Sequence, residues 1–135
     1  MAETSRNALY TLNTSTGAAT RVGSSTAFGV NETNPSGLAA IGNTLYMVGT
    51  RNDALFTLNT STGAATRVGS STAFGVNETR PGGLASIGNT LYMVGSRFAA
   101  LYTLDITTGV ATRVGSATAF GVDERFPIDL AFISV

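Results

Sequence analysis

Three glutamates recur at one spacing, and their type and position most invite a chemical reading. Glu32, Glu78 and Glu124 each follow an oxygen-bearing residue, Asn31, Asn77 or Asp123, and each stands three residues before a proline. A ring of carboxylate and amide oxygens at the mouth of a channel would hold a hard cation such as calcium, which takes oxygen ligands. The pattern also has a plainer account. Each glutamate pairs with a recurring arginine, Arg21, Arg67 or Arg113, or accepts backbone N–H groups in its own loop. The plainer account is carried forward, with no metal and no cofactor assigned and the glutamates kept as weak metal candidates.

Other chemistry lacks parts. The chain has no histidine, no cysteine and no lysine, and all eight basic residues are arginine. A Ser-His-Asp triad, a thiolate nucleophile, a Schiff base and an imidazole metal site are thereby excluded. No phosphate-binding glycine pattern is present. No enzymatic activity and no catalytic residue are expected. Four sequons begin at Asn13, Asn31, Asn59 and Asn77, but Asn, Ser and Thr are also the default residues of turns. Tyr10, Tyr46, Tyr92 and Tyr102 would suit sugar sites, but all four lie in strand-like runs, where core packing is the expected role.

Composition narrows the partners. Eight acidic residues cancel the eight arginines, leaving a formal charge of zero. Neither nucleic acid nor an anionic membrane is an expected partner on that charge. No apolar run reaches the roughly 18–20 residues of a membrane helix. The opening Met-Ala-Glu-Thr-Ser-Arg lacks the basic start and apolar stretch of a signal peptide. The absence of cysteine fits any compartment, so localisation stays unknown.

The elements that must position these residues follow from a repeat. Leu9, Leu55 and Leu101 set a period of 46 residues, giving repeats 8–53, 54–99 and an incomplete 100–135. The first two copies differ at seven sites, among them Tyr10/Phe56, Asn34/Arg80 and Ser36/Gly82. A period of this length signals a solenoid, a propeller or an array. Copies so alike point to recent duplication or to a designed or reconstructed protein.

Within one copy, Gly83 to Ile87 reads as a short strand of small residues, suited to a crowded place where strands converge. Gly88-Asn89 makes a two-residue hairpin into a second strand, Thr90 to Gly95, which is apolar on both faces. A variable loop, Ser96 to Ala99, leads to a third strand, Leu101 to Leu104. The Asp105–Gly109 turn then leads to a fourth, Ala111 to Val114, whose arginine suits an exposed edge. A return connection of about a dozen residues follows, in which Phe28, Phe74 and Phe120 recur as pegs between repeats. Four short strands per period make an all-β propeller blade.

Across nearly the whole chain, GLAxIGNTLYMVG, LYTLxxxTGxATRVG and FGVxExxP carry a resemblance to β-propellers of near-identical four-stranded blades. The chain resembles designed symmetric propellers and repeat proteins of uncharacterised function. It departs from the WD-repeat, kelch and tryptophan-rich lectin patterns. The resemblance implies the fold and leaves activity open, since propellers host enzymes, lectins and scaffolds.

Alignment of the ends sets an expectation about assembly. Ile133, Ser134 and Val135 occupy the places of Ile87, Gly88 and Asn89, and Met1, Ala2 and Glu3 those of Met93, Val94 and Gly95. Three blades are fewer than the roughly 4–8 of a closed propeller. A homodimer closing a six-bladed ring is therefore expected, with residues 1–7 of a partner completing the last repeat. A homotrimer of nine blades is the alternative. The expected function is a self-assembling repeat scaffold; the alternative is a module binding a glycan or a peptide.

Overall fold

Each period folds because its turn residues lay short apolar runs side by side. The computed structural model describes residues 2–3, 8–23, 28–29, 34–70, 74–75, 80–97 and 99–115. Among them are the strands β1 (Ala2–Glu3), β2 (Ala8–Leu12), β3 (Ala19–Arg21), β4 (Pro35–Ile41), β5 (Thr44–Gly49) and β6 (Ala54–Leu58). They continue with β7 (Ala65–Arg67), β8 (Pro81–Ile87), β9 (Thr90–Gly95), β10 (Ala100–Leu104) and β11 (Ala111–Arg113), and no helix occurs among the described residues.

Two four-stranded antiparallel sheets, β4-β5-β6-β7 and β8-β9-β10-β11, repeat one meander, and β1-β2-β3 forms a third sheet. Register is set locally. Ile41 faces Thr44 and Ile87 faces Thr90, so Gly42-Asn43 and Gly88-Asn89 are two-residue hairpins. Only the glycine takes a positive φ, +55° in both copies, as a type II′ turn requires of its first loop residue. In the third sheet Ala2 faces Leu9 and Glu3 faces Ala8, the register that Val48 and Gly49 keep with Leu55 and Ala54. The stub β1 thus sits in the second-strand place.

Side chains alternate across a strand, so each sheet has two apolar faces. Leu45, Met47, Phe56, Leu58 and Ala65 share one face of the middle sheet; Tyr46, Val48 and Leu55 share the other. The first face packs with Leu9 of the preceding sheet and the second with Leu91, Met93, Tyr102, Leu104 and Ala111 of the following one. The core therefore lies between sheets. The sheets converge at their first strands. A Cβ on Gly37 in β4 would lie 2.6 Å from the Leu84 nitrogen in β8, and the Ser86 hydroxyl donates to the Ala40 carbonyl at 2.8 Å. Small residues at this convergence give a propeller-like, radial arrangement.

Details differ from the sequence reading. The first strand starts at Pro81, two residues earlier than Gly83, because proline needs no ladder N–H and a register shift between Pro81 and Leu84 absorbs the irregularity. The fourth strand ends at Arg113 rather than Val114, and the third starts at Ala100 rather than Leu101. The arginines are not simple edge guards. Arg21, Arg67 and Arg113 are half-buried, and each stands opposite an aromatic ring, Tyr10, Phe56 or Tyr102. The Nε of each guanidinium is buried, so these arginines lie packed along the sheet face instead of projecting into solvent.

Candidate functional site

The turn joining the third and fourth strands is built the same way three times. Ser15 and Thr16 N–H donate to Asn13 Oδ1 at 2.9 and 3.0 Å, and Ser61 and Thr62 N–H donate to Asn59 Oδ1, both at 2.9 Å. Asp105 does the same for Thr107 and Thr108, both at 2.8 Å. The N–H groups of Thr108, then Thr107, hold the exposed Asp105 carboxyl below the usual carboxylate range. In two sequons, then, the asparagine carbonyl is already engaged by its own turn. The other two sequons, at Asn31 and Asn77, lie outside the described residues.

Each turn ends on a glycine at positive φ, and here one sheet touches the next. A Cβ on Gly63 would sit 2.6 Å from the Val22 carbonyl oxygen, and one on Gly109 2.6 Å from that of Val68. Reciprocally, a Cβ on Gly23 would collide with the Thr62 carbonyl oxygen, and one on Gly69 with that of Thr108. The Thr-Gly turn of one sheet and the Val-Gly step leaving the sheet before it thus form a rim contact, backbone against backbone. Ala65 N–H donates to the Phe28 carbonyl at 2.7 Å, and Ala111 N–H to that of Phe74 at 2.8 Å, tying the same junction.

At the two ends of the array each half of this contact stands open. Among the described residues nothing lies within 4 Å of a Cβ on Gly17 or on Gly115, although both keep φ near that of their counterparts. Leu12 is 51% exposed, whereas Leu58 is 5% and Leu104 4%. Ala19 is exposed where Ala65 and Ala111 are buried. At the far end Val114 is 43% exposed, while Val22 and Val68 are packed against the core clusters. The first sheet offers the Thr-Gly half of the junction and the third offers the Val-Gly half.

Of the residues singled out from sequence, Phe28 and Phe74 are fully buried, each within a cluster spanning two sheets. Phe120, Glu32, Glu78 and Glu124 lie outside the described residues. Tyr46 and Tyr102 are buried, and Tyr10 and Tyr92 are half-buried on the open faces. Arg21 donates to the Tyr10 hydroxyl at 3.2 Å with its guanidinium 5.7 Å from the ring centroid, a cation–π distance. The rim glycines escaped sequence reasoning, though the signal was present: Thr-Gly and Val-Gly recur unchanged in all three copies.

A shallow groove repeats beside each complete hairpin. In the middle sheet it encloses about 450 Å³ between Asn43, Thr44, Thr57, Asn59, Ser61 and Thr66. In the third sheet the equivalent groove is about 410 Å³, with Asp105 in place of Asn59. Hydroxyl and amide groups share the lining with Leu58 in the middle sheet and with Leu104, Ile106 and the Asp105 carboxylate in the third, and no aromatic side chain takes part.

No family model and no curated protein matches the chain. Among solved structures, BamB from Moraxella catarrhalis is similar at 17% identity and a TM-score of 0.43, over 61% of this chain. The chain spans 24% of that structure's length. The fold rests on the strand pairing described above, not on this likeness.

Proposed function

We propose that the chain is a self-assembling β-propeller repeat scaffold without enzymatic activity. Its three blades close into a six-bladed ring as a homodimer, and a nine-bladed homotrimer is the alternative closure. The near-identity of the copies supports recent duplication or a designed origin. In this reading the incomplete repeat 100–135 and residues 1–7 of a neighbouring copy share one blade, which gives β1-β2-β3 its inner strand.

The observation that carries the reading is the pair of open ends. Leu12 and Val114 stand in solvent at positions that are covered wherever a neighbouring blade exists. Large apolar side chains in water favour association by about 25 cal/mol per Å² of apolar surface removed from it. The absence of histidine, cysteine and lysine leaves little for catalysis to use. Light scattering on a sizing column tests assembly. A mass near twice the 13.8 kDa chain supports the dimer, three times that mass supports the trimer, and a monomeric mass with cooperative melting refutes closure.

A second reading, a module binding a glycan or a peptide, draws on the hydroxyl-lined groove repeated in two blades. A glycan array combined with thermal shift in the presence and absence of calcium separates the two. Flat results in both leave the scaffold.

A further inference from the structure

Resting on that assembly reading, we infer that the contact between copies is a head-to-tail copy of the rim junction. Val114 and Gly115 of one chain seat against Thr16 and Gly17 of the next, over Leu12 and Ala19. The occupant of each open face is thus a second copy of this chain, presenting its opposite face.

The chain contains the complete contact twice. Between the first and second sheets, Val22-Gly23 meets Thr62-Gly63; between the second and third, Val68-Gly69 meets Thr108-Gly109. At both junctions the carbonyl approaches so closely that only a glycine fits on the opposing backbone. The unmatched halves are the same tetrad with its members apart: Thr16-Gly17 at one end and Val114-Gly115 at the other. Gly17 at φ +75° and Gly115 at +76° already hold the conformation that their packed counterparts hold. Neither glycine therefore needs to change its φ for the halves to join.

Direction follows from the same facts. The first sheet's end face carries Tyr10, Leu12 and Ala19 and the third sheet's carries Tyr92, Leu101 and Val114; each is open toward the rim, at Leu12 and Val114, while Ala8 and Val94 on the same faces are buried. The first set matches residues that pack against a preceding blade, and the second set matches residues near a following one. Two first-sheet faces brought together would set Thr-Gly against Thr-Gly and bury neither glycine against a Val-Gly carbonyl. The contact is accordingly heterologous, and repeated with a rotation it closes a ring. No ligand is needed to complete it.

Blocking one half at a time tests this. Gly17→Ala and Gly115→Ala each place a methyl where a neighbouring chain's carbonyl must come. Gly88→Ala also forces an alanine to a positive φ, +55°, at a hairpin with nothing within 4 Å of the added Cβ, and serves as the control. The parent and Gly88→Ala should share one oligomeric mass, and each rim variant alone should run as a monomer. Because each retains one good face, an equimolar mixture of the two rim variants should recover a 1:1 pair. A rim variant that keeps the parent's mass overturns the inference and leaves the assembly reading standing. A monomeric parent instead overturns the assembly reading itself.

Should a rim variant fail to fold, cross-linking decides. In this cysteine-free chain, Leu12→Cys with Val114→Cys should give an intermolecular link between positions 12 and 114. Links only between like positions, or none in an oligomeric parent, overturn the head-to-tail contact.

Discussion

Leu12 and Leu58 end the same strand in consecutive repeats and precede the same Asn-Thr-Ser-Thr-Gly turn, so truncating each in turn isolates tertiary packing from local sequence. Leu58 is 5% exposed and packed among Met47, Phe56 and Ala65, so Leu58→Ala both returns apolar surface to water and leaves a cavity. Such changes cost about 2–5 kcal/mol. Leu12 is 51% exposed in the single chain, so about half its surface is already wet and no closed cavity can form. Full burial of a leucine is worth about 1.5–3 kcal/mol, and Leu12→Ala should therefore cost roughly 1 kcal/mol or less in the isolated chain.

Urea unfolding at low protein concentration measures both variants, with the slope checked so that a shift in midpoint reports stability. Raising the concentration until copies associate should make the Leu12→Ala cost approach that of Leu58→Ala, because binding stabilises only the folded chain. If the two costs are equal in dilute solution, Leu12 is covered within the chain and the open-face argument fails. If Leu12→Ala remains cheap in the assembled state, the face is not where copies meet.

Phe74→Ala removes a fully buried ring between the second and third sheets and should cost about 3–5 kcal/mol in urea unfolding; a variant that melts like the parent would mean that the loop is not packed there. Ala99 holds φ +45° in the loop where the preceding repeats carry Asn7 and Asp53, residue types that tolerate this region, so Ala99→Asn should stabilise by up to about 1 kcal/mol. An unchanged or lower midpoint would contradict that account of the loop. The depressed Asp105 pKa makes its contribution to stability fully present above 3.8 and lost as pH falls through the lowered value. Asp105→Asn, which keeps the turn seen at Asn13 and Asn59, should weaken the acid-side loss of stability seen in melts between about pH 5 and 2. An unaltered profile would show that this carboxylate does not contribute.

Local structure was legible because its causes are local. Gly88-Asn89 states a two-residue hairpin on its own, since the positive φ at Gly88 and the register of Ile87 with Thr90 need no distant partner. The Asn13 turn closes on N–H groups two and three residues away, and it could be read from Asn-Thr-Ser-Thr-Gly alone. The period of 46 residues announced sheets stacked on one another, and runs apolar on both faces said that each sheet is covered twice. The glutamates recurred as plainly, but recurrence does not say what a side chain touches.

Only tertiary structure separated residues that the repeat makes look equivalent. Leu12 and Leu58 have the same neighbours in sequence and opposite environments, because burial is decided by whether another sheet lies against them. The rim glycines resemble ordinary turn glycines until the carbonyl of another sheet is seen where a Cβ would stand. Likewise the arginines read as edge charges until each is found half-buried opposite a ring. Backbone turns are set by interactions within a few residues, whereas packing is set by surfaces one full repeat away, and at the open ends by surfaces belonging to another chain.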